Sequence, residues 1–144
     1  MRDICVVIAD PQKATRTSYL TKLRPEKGIQ VVAEVGTRRE VVETLKLKPR
    51  ILLLDWKMLA YGEASLLLLV KKYSPQTRVI LLTGRADPMR VIHAFSNGAR
   101  GYLKRTPVQP SLAKAVRLVD AGEVWVPRAM VPILIAVLTR MALP

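Results

Sequence analysis

The chain has 144 residues, half of them apolar and only 5% aromatic, which fits one domain with an aliphatic core. Twenty-four Lys and Arg against eleven Asp and Glu give a formal charge of +13, a balance that favours acidic partners such as nucleic acid, an anionic surface or an acidic protein. One Cys and one His exclude an internal disulfide and a zinc cluster, and no apolar run approaches the roughly 20 residues of a membrane span.

The start, Met1-Arg2-Asp3-Ile4-Cys5, leads directly into a strand and leaves no room for a signal peptide. Cys5 lies in an apolar run and reads as a buried thiol, for which a reducing cytoplasm is the natural setting. The strand Cys5 to Ala9 ends at Asp10. Pro11 follows, so Asp10 is expected to cap a helix running to about Leu23. Pro25 to Gly28 stops that helix. Ile29 to Gly36 is β-rich with partial alternation, the pattern of a strand nearer an edge. Thr37 with Glu40 three residues later makes a capping box for a helix whose apolar face is Val41, Val42 and Leu45.

Ile51-Leu52-Leu53-Leu54-Asp55 is four aliphatic residues ending on a carboxylate, a strand buried on both faces. A loop through Leu59 to Gly62 leads to a helix from Glu63 to Tyr73, apolar nearly all round between Leu66 and Val70. Arg78 to Leu82 is a further buried strand, ending at Thr83-Gly84. Asp87-Pro88 opens a helix with Met89, Ile92 and Phe95 on one face, and Asn97-Gly98 closes it. Gly101 to Arg105 is a short strand. Pro110 opens a helix with Leu112, Ala115, Val116 and Val119 at core spacing, ended by Ala121-Gly122. Met130 to Leu143 is a last helix-like segment, uncharged from Val131 to Leu138, that needs cover from the domain, a second copy or a downstream neighbour. Strand then helix, five times over with short connections, predicts right-handed crossovers and a five-stranded parallel, doubly wound α/β sheet with helices on both faces and an extra C-terminal helix. The domain is expected over 1–127, with 128–144 a helix or linker toward a possible output domain.

Ligands of such a sheet bind beyond the carboxyl ends of its strands. Those ends carry Asp10, Asp55, Thr83 and Arg105: an acid for a cation, an acid that can be a nucleophile, a hydroxyl donor and a permanent cation. The set suits a tetrahedral dianion held with a hard divalent metal. No P-loop, dinucleotide fingerprint or catalytic triad is present, so turnover of a metabolite is not expected.

Val6-Val7-Ile8-Ala9-Asp10, Leu52-Leu53-Leu54-Asp55-Trp56-Lys57-Met58, Val79-Ile80-Leu81-Leu82-Thr83-Gly84 and Gly98-Ala99-Arg100-Gly101-Tyr102-Leu103 carry a family resemblance. Over residues 4–124 the chain resembles a two-component response-regulator receiver domain, most like those that precede a LuxR-type helix-turn-helix. The end of the domain, Ala121 to Pro127, is similar to that subfamily too. The resemblance implies a cytoplasmic conformational switch, not an enzyme, with Asp55 as phosphoacceptor and a histidine kinase as phosphoryl donor. It implies the flavodoxin-like strand order 2-1-3-4-5, Mg²⁺ held by Asp10, Asp55 and the backbone carbonyl of Lys57, and Thr83, Tyr102 and Arg105 as phosphate-contact or switch residues. It also implies a possible homodimer, and DNA binding only through an output domain.

Two departures stand out. The family usually has two adjacent acids after its first strand, and here the second is Pro11. The family's lysine at the end of the fifth strand aligns with Arg105, while Lys104 should face the other way. Weak Mg²⁺ binding and slow or absent phosphorylation are therefore expected, and Arg105 could form a salt bridge with Asp55 that opposes the transfer. A phosphorylation-independent interaction or dimerisation module is the alternative reading. Direct nucleic-acid binding rests on charge alone.

Overall fold

The computed structural model describes residues 3–59, 63–84, 87–105 and 107–142. Its strands are β1 (Ile4–Ala9), β2 (Ile29–Val35), β3 (Ile51–Asp55), β4 (Arg78–Thr83) and β5 (Ala99–Lys104). All pair in parallel, in the order β2-β1-β3-β4-β5. The helices are α1 (Lys13–Leu23), α2 (Arg38–Thr44), α3 (Glu63–Tyr73), α4 (Pro88–Ser96), α5 (Leu112–Asp120) and α6 (Val131–Ala142).

Alternation along the strands sorts the core into two layers. Val7, Ala9, Leu52, Leu54, Val79 and Leu81 face α2, α3 and α4, meeting Val41, Leu66, Leu67, Val70 and Ala94. Val6, Ile8, Ile51, Leu53, Ile80 and Leu82 face α1 and α5, meeting Tyr19, Leu23, Leu112, Ala115, Val116 and Val119. Leu52, Leu53 and Leu54 are each 0% exposed, which explains why β3 reads as an unbroken aliphatic run. Each contributes about 2 kcal/mol by burial. Strands built this way hold their polar C-terminal residues in fixed register beside one another.

The expected helix signals are largely present. Thr37 Oγ1 accepts from the Glu40 amide at 3.2 Å while Glu40 Oε1 accepts from the Thr37 amide at 3.1 Å. Asp87 caps α4 through the Met89 amide at 3.1 Å, with Pro88 at the first turn. Gly98 (φ +112°) and Gly122 (φ +99°) supply the left-handed turns after α4 and α5.

Four local readings need correction. Asp10 does not cap α1. The N-cap is Gln12, whose amide donates to Asp10 Oδ1 at 2.8 Å, so Asp10 turns the chain instead and keeps its carboxylate over the sheet. The helix after β5 starts at Leu112 with Ser111 as cap, two residues beyond Pro110. The core face of α4 is Val91 and Ala94, with Met89 51% exposed. Cys5 is only partly buried, because it sits near the open start of β1.

Of the loop expected at 59–62, Leu59 is fully buried and Ala60 to Gly62 lie outside the described residues, as do Met1, Arg2 and Leu143. Helix α6 packs beside α4. Val91, Tyr102 and Met130 form a small third cluster, joined by Phe95, Val126 and Leu134. Much of α6 stays open, with Val131, Ile133, Ile135, Leu138 and Met141 exposed. Among the described residues no helix is long and apolar enough to cross a membrane.

Candidate functional site

The carboxyl ends of β1, β3, β4 and β5 bring Asp10, Asp55, Thr83 and Arg105 into one place. Asp10 is fully buried, Asp55 is 1% exposed, and Thr83 is buried beside them. Lys104 is exposed and Arg105 turns inward, as the alternation of β5 requires.

Arg105 organises the pocket. Its guanidinium donates to both oxygens of Asp10, Nε to Oδ2 at 3.0 Å and Nη2 to Oδ1 at 3.1 Å. The same Nη2 donates to Gln12 Oε1 at 2.8 Å and Thr15 Oγ1 at 3.0 Å. Nε also lies 3.6 Å from Asp55 Oδ1, so the expected Arg105–Asp55 pair exists but is the looser contact. The planar fork matches a carboxylate in two-point geometry, which a lysine cannot do. The backbone is fixed as well: the Arg105 amide donates to the Thr83 carbonyl at 2.8 Å, and the Tyr19 hydroxyl donates to the Arg105 carbonyl at 3.1 Å. The Asp10 hydrogen bonds hold the guanidinium even more firmly in its charged form. Burial and the nearby Asp10 charge push the Tyr19 hydroxyl upward, so it remains a donor.

Asp55 is less well satisfied. Burial pushes its carboxyl above the ordinary range, and the Asp10 charge adds to this, while Arg105 and the Lys57 amide pull it back. Its Oδ2 is buried without a hydrogen-bond partner among the described residues. A buried, unsatisfied carboxylate oxygen is costly to keep and ready to accept an electrophile or a donor. Lys57 lies in the short turn Trp56–Leu59 directly after β3. Trp56 is buried there in the α3-side core, with the Arg90 guanidinium 5.6 Å from its ring. Tyr102, one of the expected switch residues, is 3% exposed and faces Val91 and Met130 rather than solvent.

Sequence reasoning missed Gln12, Thr15, Arg16 and Tyr19. Arg16 Nη1 donates to the Asp10 carbonyl at 2.7 Å and passes over Gly36, where an added Cβ would stand 2.8 Å from it. The only local signal was that α1 is polar on the turns nearest Asp10, with a poor apolar stripe.

Receiver domains generally bind Mg²⁺ at their phosphorylation site. Among the described residues no group of three or more acidic, His or Cys side chains could hold a metal ion. The two carboxylates at hand already share a guanidinium. A dication within about 4 Å of that cation meets a repulsion of about 8 kcal/mol at an effective dielectric of about 20. With Arg105 in this position, the donor set does not fit a divalent ion.

The comparisons agree with this fold. Residues 6–117 match the response regulator receiver domain family. The oxygen regulatory protein NreC of Staphylococcus haemolyticus is 32% identical over 124 residues, covering 84% of this chain and 57% of that protein. This chain thus spans a little over half the length of the curated relatives it matches. Among solved structures, the NarL signal receiver domain of Mycobacterium tuberculosis superposes with a TM-score of 0.77 at 27% identity, covering 85% of this chain and 100% of that one. A LuxR-family two-component response regulator from Aurantimonas sp. SI85-9A1 gives a TM-score of 0.83 at 18% identity over 93% of this chain and 96% of that one, a likeness of fold. Sheet order, the acid and hydroxyl at the strand ends, and these matches together place the chain in the response regulator receiver domain family, as a signalling module related to the NarL- and NreC-type regulators of the LuxR class.

Proposed function

We propose that Asp55 is the phosphoacceptor of this receiver and that a histidine kinase supplies the phosphoryl group. The observation that carries this reading is the buried, unpartnered Asp55 Oδ2 at the end of the central strand, beside Arg105 and Thr83. In the transfer, Oδ2 forms a bond to phosphorus as the donor's phosphorus–nitrogen bond breaks. The electron pair leaves on the imidazole nitrogen, which takes up a proton. The added group brings roughly −1.5 to −2 charges into a pocket whose fixed cation is Arg105. Thr83 is the hydroxyl that meets one phosphoryl oxygen, and Tyr102 is the aromatic whose packing reports the change. Lys57 contributes its backbone to the same corner. Arg105 already occupies both oxygens of Asp10, so this reading assigns no part in the transfer to a divalent ion.

Residues 1–127 form the receiver, and 128–144 lead toward an output segment. By likeness to its longer relatives, that segment would bind DNA and regulate transcription, and a second copy of the chain would be a partner. A cytoplasmic setting follows from this role.

Incubation with acetyl phosphate, followed by acid quenching and peptide mass mapping, tests the acceptor. The wild type should gain one phosphoryl group on the peptide containing Asp55, and D55N should gain none. A modified D55N, or an unmodified wild type under conditions that label other receivers, would refute the assignment.

A further inference from the structure

Three features of the pocket belong together. First, the Arg105 guanidinium sits in two-point contact with a fully buried Asp10 and within 3.6 Å of Asp55. Second, the residue is received by polar groups gathered around it. Gln12 and Thr15 both accept from the same nitrogen, and Tyr19 and Thr83 hold its backbone. Third, Pro11 follows Asp10, so the end of β1 supplies the pocket with one carboxylate and not two. Two carboxylates against one guanidinium leave a single net negative charge. A phosphoryl dianion on Asp55 therefore arrives beside a cation already seated, desolvated and permanently charged.

We propose that Arg105 is the pocket's built-in counter-ion in place of a divalent metal, so that a phosphoryl group on Asp55 is held without Mg²⁺. This rests on Asp55 being the acceptor. When the anion arrives, the guanidinium keeps one edge on Asp10 and turns its remaining donors to the new oxygens. Its five N–H groups suffice for both, which a lysine's three do not manage in a plane.

The test is beryllofluoride, a phosphoryl mimic, titrated into the full chain and followed by amide NMR at residues 55, 57, 83 and 102. One titration uses buffer stripped of divalent ions, and the other contains Mg²⁺. For the wild type, the apparent affinity should differ by less than about threefold between the two. For R105K, whose compact ammonium leaves an Asp10 oxygen uncovered, removing Mg²⁺ should weaken binding by about tenfold or more. Wild-type binding that appears only with Mg²⁺ overturns the counter-ion role and leaves Asp55 as acceptor. Silence in both buffers overturns the acceptor reading, and the counter-ion role falls with it. Metal-free binding by R105K as tight as the wild type's also refutes the role of Arg105. Independently of any variant, Mg²⁺ titrated alone into the wild type should give no saturating shift at residues 10, 55 and 57. A shift saturating at low millimolar Mg²⁺ would overturn the proposal.

Discussion

Arg105 grips Asp10 more closely than Asp55: two hydrogen bonds of 3.0 and 3.1 Å against a single approach of 3.6 Å. One acid is thereby neutralised and the other only partly so. That asymmetry leaves Asp55 as the carboxylate with an uncovered oxygen.

Removing the guanidinium should expose the conflict between the two acids. R105A leaves both carboxylates buried and facing each other, and breaking a buried pair costs about 3–5 kcal/mol. Arg105 is one of the groups that hold the Asp55 carboxyl down, so its loss pushes that carboxyl further up. The folded variant then binds protons that its unfolded chain has released. Urea denaturation at several pH values should show R105A far weaker than wild type at pH 7.5 and recovering part of the deficit on acidification.

Asp55 itself works against stability at neutral pH. Its carboxyl is raised in the folded protein, chiefly by burial, so over the interval between its unfolded and folded values the native state holds the extra proton. Stability falls as pH rises through that interval, and the penalty is complete above it. D55N removes the charge at similar volume. It should gain about 1 kcal/mol, or about 3 °C in Tm, at neutral pH, and the gain should shrink toward acidic pH. Differential scanning fluorimetry across pH would show it. An equal gain at every pH would contradict this account.

Gly101 lets β5 pack closely against Ile80 of β4. A Cβ there would lie 2.9 Å from Ile80 Cγ1 and 3.2 Å from Cγ2, and Ile80 is fully buried and branched at that point. G101A should therefore cost about 1–3 kcal/mol by overpacking. Chemical denaturation would measure the loss, and an unchanged midpoint would mean that β5 shifts freely.

Met130 ties α6 to the body through Val91 and Tyr102. M130A should weaken that attachment by about 2 kcal/mol, near the lower end for a buried methionine. Hydrogen exchange should speed up across residues 131–142 and in the amides near Tyr102, and remain unchanged in β1 and β3.

Much of the architecture was legible because its signals are local. Aliphatic runs of four or five residues marked the inner strands, their polar last residues marked the pocket, and Thr37 with Glu40 marked α2. The function of Asp10 was not legible in the same way. An acid before a proline looks like a helix cap, and only a guanidinium 95 positions away shows why its carboxylate points over the sheet instead. The apolar face of α4 misled for a related reason. Met89, Ile92 and Phe95 satisfy helical spacing as well as Val91 and Ala94 do, and packing decides between them: Ala94 joins the α3-side core while Val91 meets Tyr102 and Met130. Gln12, Thr15 and Tyr19 carried no signal of their own, because accepting from or bracing an arginine requires only a nearby polar atom.

Trp125 has an effect beyond its own packing. Its amide donates to the Arg100 carbonyl at 3.0 Å, and its carbonyl accepts from the Tyr102 amide at 2.8 Å. The tail thus docks as a one-residue strand along the outer rim of β5. The Arg100 carbonyl and the Tyr102 amide on that edge are thereby engaged, which shortens the stretch open to a foreign strand. Two copies joining by extending the sheet would meet less interruption along β2 than along β5.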